Sequence, residues 1–158
     1  SLTGHLVFST LHTNDAASAI TRLMDIGIEP FLLTATIQGI MAQRLVRRVC
    51  DDCKVFYEPA DDILRRLSLT ADEVVGSKFA YGKGCATCNF TGYRGRMAIT
   101  EILEIDDRIR EMILDGASTN KVQEAAVESG LKTLRENGLQ AVFDGVTTVE
   151  ELLRETIE

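Results

Sequence analysis

Four cysteines stand as two C-x-x-C pairs, Cys50-Asp51-Asp52-Cys53 and Cys85-Ala86-Thr87-Cys88, and the chain has no others. A C-x-x-C step lets one tight turn aim two sulfurs at a single ion. Two such turns close a tetrahedral site and leave no open position for catalysis, which suits a structural Zn²⁺. Other uses of the same thiols stay open. Two disulfides would need an oxidising compartment, and the first residues, S-L-T-G-H, show no basic start followed by a long apolar run. A thioredoxin-like C-x-x-C stands alone and opens a helix after a strand. Plain buried thiols are the remaining alternative. Residues 54–84 separate the pairs, more than in an ordinary zinc ribbon, so the intervening segment is expected to fold back as its own small unit.

His5 and His12 are the only histidines. An isolated histidine is more often a satisfied core or surface residue than a catalyst. His12, however, lies where an apolar run ends and a capped helix begins. In open α/β sheets ligands bind beyond the carboxyl ends of the strands. An imidazole there, flanked by Thr10, Thr13 and Asn14, can donate to a phosphate oxygen. Arg44, Arg47, Arg48, Lys54, Arg94 and Arg96 gather around the cysteine pairs. They read as a solvated face with salt bridges, as a surface for an acidic partner, or as a nucleic-acid contact.

The chain has 158 residues, enough for one ordinary domain or two small ones. Hydrophobic residues make up 45 %, so a core can form, and no apolar stretch is long enough to span a bilayer. The net charge of −7, from 24 acidic and 17 basic residues, argues against general nucleic-acid binding, which depends on neutralising phosphates. With no initiator Met and an opening beside a strand-like run, the sequence reads as a fragment cut inside a domain of a longer protein.

The elements that would position these residues follow an α/β grammar. Residues 5–12 predict a strand buried on both faces, as in a parallel sheet. Thr13-Asn14-Asp15 supplies helix-capping side chains, Ala16 to Ile26 a helix, and Gly27 its stop. Pro30 opens a second helix lined by Phe31, Ala35, Ile40 and Met41. Gln43 to Val49 predicts a strand running into Cys50. Between the cysteine pairs, Pro59 to Leu67 predicts one short helix, and Thr70-Ala71-Asp72-Glu73 is a capping box that would open another. Residues 96–105 predict a strand. From Asp106 the chain is expected to be helical, with stripes at Ile109, Met112 and Ile113, at Val122, Ala125 and Ala126, and at Leu131, Leu134, Val142 and Phe143. Gly138 interrupts the third stripe, and Thr147 to Glu151 holds two overlapping capping boxes.

Residues 3–16, T-G-H-L-V-F-S-T-L-H-T-N-D-A, resemble the histidine box of the bacterial secretion ATPases, the motors of type II secretion and type IV pilus assembly. The resemblance continues in Q-R-L-V-R-R-V-C at 43–50, in the tetracysteine element, and in G-Y-R-G-R-M-A-I-T-E-I-L at 92–103. It covers most of the chain. The family's retraction ATPases usually lack the cysteines, so their presence points to the assembly and secretion branch.

The resemblance implies a RecA-like ATPase core that works in a homohexameric ring beside neighbouring subunits. The ring would be cytoplasmic and peripheral at the bacterial inner membrane, where it meets a membrane platform protein. Residues 1–49 would be the C-terminal portion of that core with the histidine box, 50–91 a zinc-binding subdomain, 92–105 a returning core strand, and 106–158 a C-terminal helical subdomain. His5 and His12 would be the box histidines, with His12 the one nearer the γ-phosphate. Cys50, Cys53, Cys85 and Cys88 would hold zinc.

One departure is large. No G-x-x-x-x-G-K-[ST] occurs, and the acidic residues expected before the histidine box are missing as well. Phosphoryl transfer needs those parts together. ATP and Mg²⁺ are therefore expected only in the parent protein, and this chain alone is expected to bind zinc without hydrolysing ATP. Two other readings compete: a stand-alone zinc-knuckle module for protein interaction, and a zinc ribbon for nucleic acid.

Overall fold

The computed structural model describes residues 4–156, a mixed α/β chain with seven helices and two small sheets. In order the elements are α1 (Ala16–Asp25), α2 (Pro30–Thr36), β1 (Gly39–Val49), β2 (Lys54–Phe56), α3 (Asp61–Leu67), β3 (Ala80–Gly82), β4 (Tyr93–Glu104), α4 (Asp107–Leu114), α5 (Thr119–Glu128), α6 (Leu134–Phe143) and α7 (Val149–Thr156). The chain divides into two compact units. One comprises residues up to Gln43 together with Thr100–Leu134, and the other Arg44–Ile99 together with Arg135 onward. The strands β1 and β4, hydrogen-bonded neighbours, each pass from one unit to the other.

In the first unit the local signals are met. Asp15 caps α1 by accepting the backbone N–H of Ser18 at 2.7 Å, and Gly27, at φ +94°, follows its C-cap. Pro30 sits in the first turn of α2. Asp106 caps α4 through the N–H of Ile109 at 2.8 Å. The apolar stripes of α1, α4 and α5 meet in one core built around Ile20, Leu33, Leu103, Ile109, Ile113 and Val122.

A carboxylate organises this unit from inside. Glu101 on β4 is buried, and it accepts the N–H of Ala16 at 2.9 Å and of Leu134 at 3.2 Å. These are the first residues of α1 and α6. One carboxylate thus serves the unsatisfied donors of two helix N-termini, where negative charge is favoured.

Two expectations are corrected here. Residues 5–12 lie outside any strand, and Leu6, Val7 and Phe8 are 77 %, 63 % and 87 % exposed. A strand of that composition needs hydrogen-bonded neighbours and cover on both faces. Among the described residues neither sheet places a strand beside it. Helix α2 also ends at Thr36, so Ile40 and Met41 belong to β1, which begins at Gly39 rather than Gln43. The β-branched Thr34, Thr36 and Ile37 and the glycine at 39 favour extended chain over another helical turn.

In the second unit β2 pairs antiparallel with β3, with Lys54 opposite Gly82 and Phe56 opposite Ala80. The buried ring of Phe79 packs edge-on against Phe143 at 5.7 Å and Tyr57 at 6.1 Å. Thr70 and Glu73 form the expected cap contact at 2.7 Å, but it opens only a 3₁₀ turn at 72–74. Gly138 is no defect in α6. A Cβ there would lie 2.2 Å from Leu152 Cδ1, so its absence lets α6 and α7 pack closely.

Glu151 departs from its expected capping role. Thr148 Oγ1 does accept the Glu151 N–H at 3.3 Å, but the Glu151 carboxylate, 1 % exposed, turns to Arg47. It accepts the Arg47 backbone N–H at 3.0 Å, the Arg47 guanidinium, and Arg154 at 2.8 Å. Burial pushes its pKa up, and the Arg47 hydrogen bonds more than offset this, so the carboxyl lies below the usual glutamate range.

We expect Glu101→Ala to cost about 2–4 kcal/mol, the sum of two lost caps with their donors left buried. Denaturant unfolding measures it, and a change below about 0.5 kcal/mol would show that the two helix ends do not depend on this carboxylate. Glu151→Gln is expected to destabilise the protein by about 1–3 kcal/mol at pH 7. Because the folded pKa is depressed, the stabilisation is present above the unfolded value of about 4.3 and fades as pH falls through the lower folded value. The gap between wild type and Glu151→Gln should therefore narrow in acid; a gap that widens there contradicts the assignment.

Candidate metal centre

The four cysteines come together in the second unit. Cys50 ends the run of β1, and a 3₁₀ turn at Asp51–Cys53 brings Cys53 round to the same point. A second 3₁₀ turn at Ala86–Cys88 does the same for Cys85 and Cys88, with Asn89 and Phe90 taking positive φ to leave it. The two loops are drawn close by glycine. A Cβ on Gly82 would lie 2.0 Å from the carbonyl oxygen of Gly92, a contact only bare backbone can make.

All four sulfurs lie within 4.8 Å of one another. Cys50 and Cys85 are 3.9 Å apart, as are Cys53 and Cys88, and Cys85 and Cys88 are 3.8 Å apart. These separations are far from a disulfide bond of about 2 Å, and all four thiols are free. A tetrahedron with metal–sulfur bonds of about 2.3 Å has edges of about 3.8 Å. The donor set and its spacing therefore form a group capable of holding a metal ion.

Backbone donors surround one sulfur. Cys88 Sγ accepts the N–H of Cys85 at 3.2 Å and of Gly92 at 3.3 Å. The Cys85 N–H leads in lowering the Cys88 thiol pKa to about 6, against an opposing effect of burial. Burial pushes Cys53 up to about 12 and raises Cys50 as well. The backbone donors thus favour the thiolate form of Cys88 near neutrality.

Three of the six surrounding cations pair with acidic side chains. Lys54 meets Asp51 at 2.8 Å, Arg94 approaches Asp52 at 3.8 Å, and Arg47 pairs with Glu151. Lys54 also holds the Asp51 carboxyl below its ordinary value. This pattern supports the salt-bridge reading of the basic cluster.

The histidines lie in the first unit and the cysteines in the second. Both are exposed on the extended segment before α1. His12 lines a cavity of about 330 Å³ with Thr13, Asn14, Ser18, Thr21, Arg22, Asp25 and Thr119, and Thr21 and Thr119 hydroxyls meet there at 2.6 Å. Arg22 and Thr119 escaped the sequence reading. Arg22 looked like an ordinary helix residue, and nothing local ties Thr119 to a position nearly a hundred residues earlier.

Since most of α6 and the residues after it share a unit with the cysteine segment, losing a bound metal is expected to loosen them together with residues 44–99. We expect Cys85→Ser to drop bound metal well below one ion per chain. Amide protection should fall at 44–99 and 135–156 and persist in α1, α4 and α5. The scale is set by structural zinc sites, whose binding is worth on the order of 10 kcal/mol of folding. Unchanged metal content, or uniform loss of protection, would contradict this.

The profile of the family described as type II/IV secretion system protein matches residues 1–154. The chain is 53 % identical to the type IV pilus assembly ATPase PilB of Thermus thermophilus over 99 % of its own length and 18 % of that protein's. It is 46 % identical to the type II secretion system protein E of Dickeya dadantii over 100 % of its own length and 31 % of that protein's. A type II secretion system ATPase E from Vibrio cholerae is 45 % identical, with 100 % and 31 % covered. The chain therefore spans less than a third of the curated relatives it matches. Agreement along residues 1–154, on a chain whose cysteines converge on one point, establishes that this chain belongs to the type II/IV secretion system protein family.

Proposed function

We propose that this chain is the C-terminal part of a hexameric secretion-type ATPase that couples ATP hydrolysis to type IV pilus assembly or type II secretion. The observation that carries this reading is the family match over residues 1–154, together with relatives named as ATPases of both machines. In this reading the segment before α1 and the first helices belong to a RecA-like core. Residues 1–49 end that core, 50–91 form a zinc-binding subdomain, 92–105 return as a core strand, and 106–158 form the helical end. Partners are neighbouring subunits and an inner-membrane platform protein, and the place of action is the cytoplasmic face of that membrane.

Cys50, Cys53, Cys85 and Cys88 hold zinc as a structural ion. Four sulfur donors close the coordination sphere, so it supplies folding stability and no reacting site. His12 faces the nucleotide from its cavity. A neutral imidazole can donate to a phosphate oxygen, and Arg22 in the same cavity adds positive charge. The polar wall of Thr13, Asn14 and Ser18 would orient the ring. His5, at the other end of the segment, takes a supporting role in the same histidine box.

The chain itself carries no phosphate-cradling loop of the G-x-x-x-x-G-K-[ST] type. Turnover thus needs the rest of the protein. The test compares ATP hydrolysis by the full-length protein with that of its His12→Ala variant, alongside the purified chain. We expect the variant to lose tenfold or more in kcat, as for removal of one transition-state donor, with nucleotide affinity little changed. The chain alone should show no metal-dependent turnover above its own His12→Ala control. Equal kcat in both full-length proteins would remove His12 from the chemistry, and turnover by the chain alone would overturn the division of labour.

A further inference from the structure

All three tyrosines of this chain line one cavity in the second unit. Tyr57, Tyr81 and Tyr93 are joined there by Ile63, Thr148 and Glu150, around a space of about 500 Å³. The rings are held rather than loose. Tyr57 packs edge-on against Tyr81 with centroids 5.8 Å apart. The Tyr93 hydroxyl lies 3.0 Å from Thr148 Oγ1. The wall is rich in aromatic rings, whose faces carry negative charge density. Its one ionisable lining group besides the phenols is the carboxylate of Glu150, an exposed residue at the start of α7.

The molecule already shows what such a ring accepts. The guanidinium of Arg47 lies over the Tyr93 ring, 4.1 Å from its centroid. This is a cation–π distance, and the flat guanidinium suits ring stacking better than a compact ammonium. Glu150 also makes itself felt inside the cavity. The Tyr57 phenol is pushed above its ordinary pKa first by burial and then by the negative charge of Glu150. Burial penalises any charge there, so it is the second contribution, the negative field of Glu150, that bears on a cation.

We propose that the Tyr57–Tyr81–Tyr93 cavity is a docking site for an arginine side chain of a partner polypeptide, with the guanidinium held between ring faces and the Glu150 carboxylate. The volume exceeds one guanidinium, leaving room for the residue's aliphatic stem along Ile63. Charge complementarity points to the class of occupant: the Tyr57 and Tyr81 rings and the Glu150 carboxylate suit a cation, while Arg47 already covers one face of the Tyr93 ring. This inference is independent of the nucleotide chemistry proposed above. It concerns a surface in the unit that carries the cysteines, and a loss of ATPase activity would neither support nor refute it.

Since the chain has no tryptophan and its three tyrosines all border this cavity, tyrosine emission reports on the site directly. The metal-loaded chain would be titrated with the capped peptide Gly-Arg-Gly, with its lysine counterpart, and with its citrulline counterpart, which keeps the shape and lacks the charge. Tetramethylammonium serves as a further arm for a quaternary headgroup. We expect a saturable change with the arginine peptide, at least fivefold weaker binding of the lysine peptide, and no saturation with citrulline. Glu150→Gln should weaken arginine binding about five- to tenfold, as for loss of one charge-assisted contact. Tyr81→Leu should abolish the response while the circular dichroism spectrum stays unchanged. Equal binding of citrulline, absence of saturation up to the solubility limit of the arginine peptide, or an unchanged affinity in Glu150→Gln would each overturn the proposal. Tighter binding of tetramethylammonium would overturn the assignment to arginine.

Discussion

Four sulfurs within 4.8 Å of one another are the constraint on which the second unit rests. The strands they bridge are short. A pair such as β2 and β3, three residues each, is marginal in water by itself. Between the cysteine pairs, Leu64, Leu67 and Phe79 are the main buried anchors. That apolar burial is modest against the backbone entropy of ordering the segment from 54 to 84. Joining both ends of the segment at one point shortens the loop that must be closed, and the close approach of Gly82 and Gly92 makes the closure tight. The helices α6 and α7 then dock on what the closure provides. The Lys78 N–H reaches the Phe143 carbonyl at 2.7 Å, and the Val49 N–H reaches the Val146 carbonyl at 2.8 Å.

Two buried carboxylates do for the rest of the chain what the sulfurs do for this segment. Glu101 and Glu151 are each almost fully buried, and each meets backbone N–H groups far away in sequence. A buried charge is costly unless several donors satisfy it. Glu101 is satisfied by the ends of two helices, and Glu151 by a backbone amide with two arginines. The Thr147 hydroxyl adds a bond to the Arg47 carbonyl at 2.8 Å, and Arg47 in turn covers the Tyr93 ring. One ionic network thus joins β1, β4 and α7 without needing a large core.

What was legible in the sequence follows from how local each signal is. The C-x-x-C pairs, the Asp15 cap, the Gly27 stop and the Pro30 start each act within a few residues, and the structure has them where the spacing puts them. The stripes of α4 and α5 are periodic over their own length and could be read the same way. Glu101 could not be assigned, because its partners are 85 and 33 residues away. Glu151 was misleading, since its position three residues after Thr148 fits a capping box while its side chain serves Arg47, 104 residues earlier. The tyrosines at 57, 81 and 93 looked unrelated because only the fold brings them to one cavity. Residues 5–12 were misread for another reason: composition reports what a strand of that kind would be, and pairing requires a neighbour.

The same segment bears on how the two histidines divide their work. Leu6, Val7 and Phe8 expose side chains that are each worth about 1.5–3 kcal/mol when buried, so the proposed RecA-like reading has a physical motive in covering them with further strands. If residues 5–12 become such a strand, each residue advances about 3.3 Å, and His5 and His12 end up about 23 Å apart. No single phosphate group spans that distance. The two imidazoles would then sit at opposite ends of the strand, and only His12 would lie beyond its carboxyl end, where α/β sheets bind ligands. Under that reading the chemistry at the nucleotide falls to His12 with Arg22, and His5 acts at the far edge of the sheet.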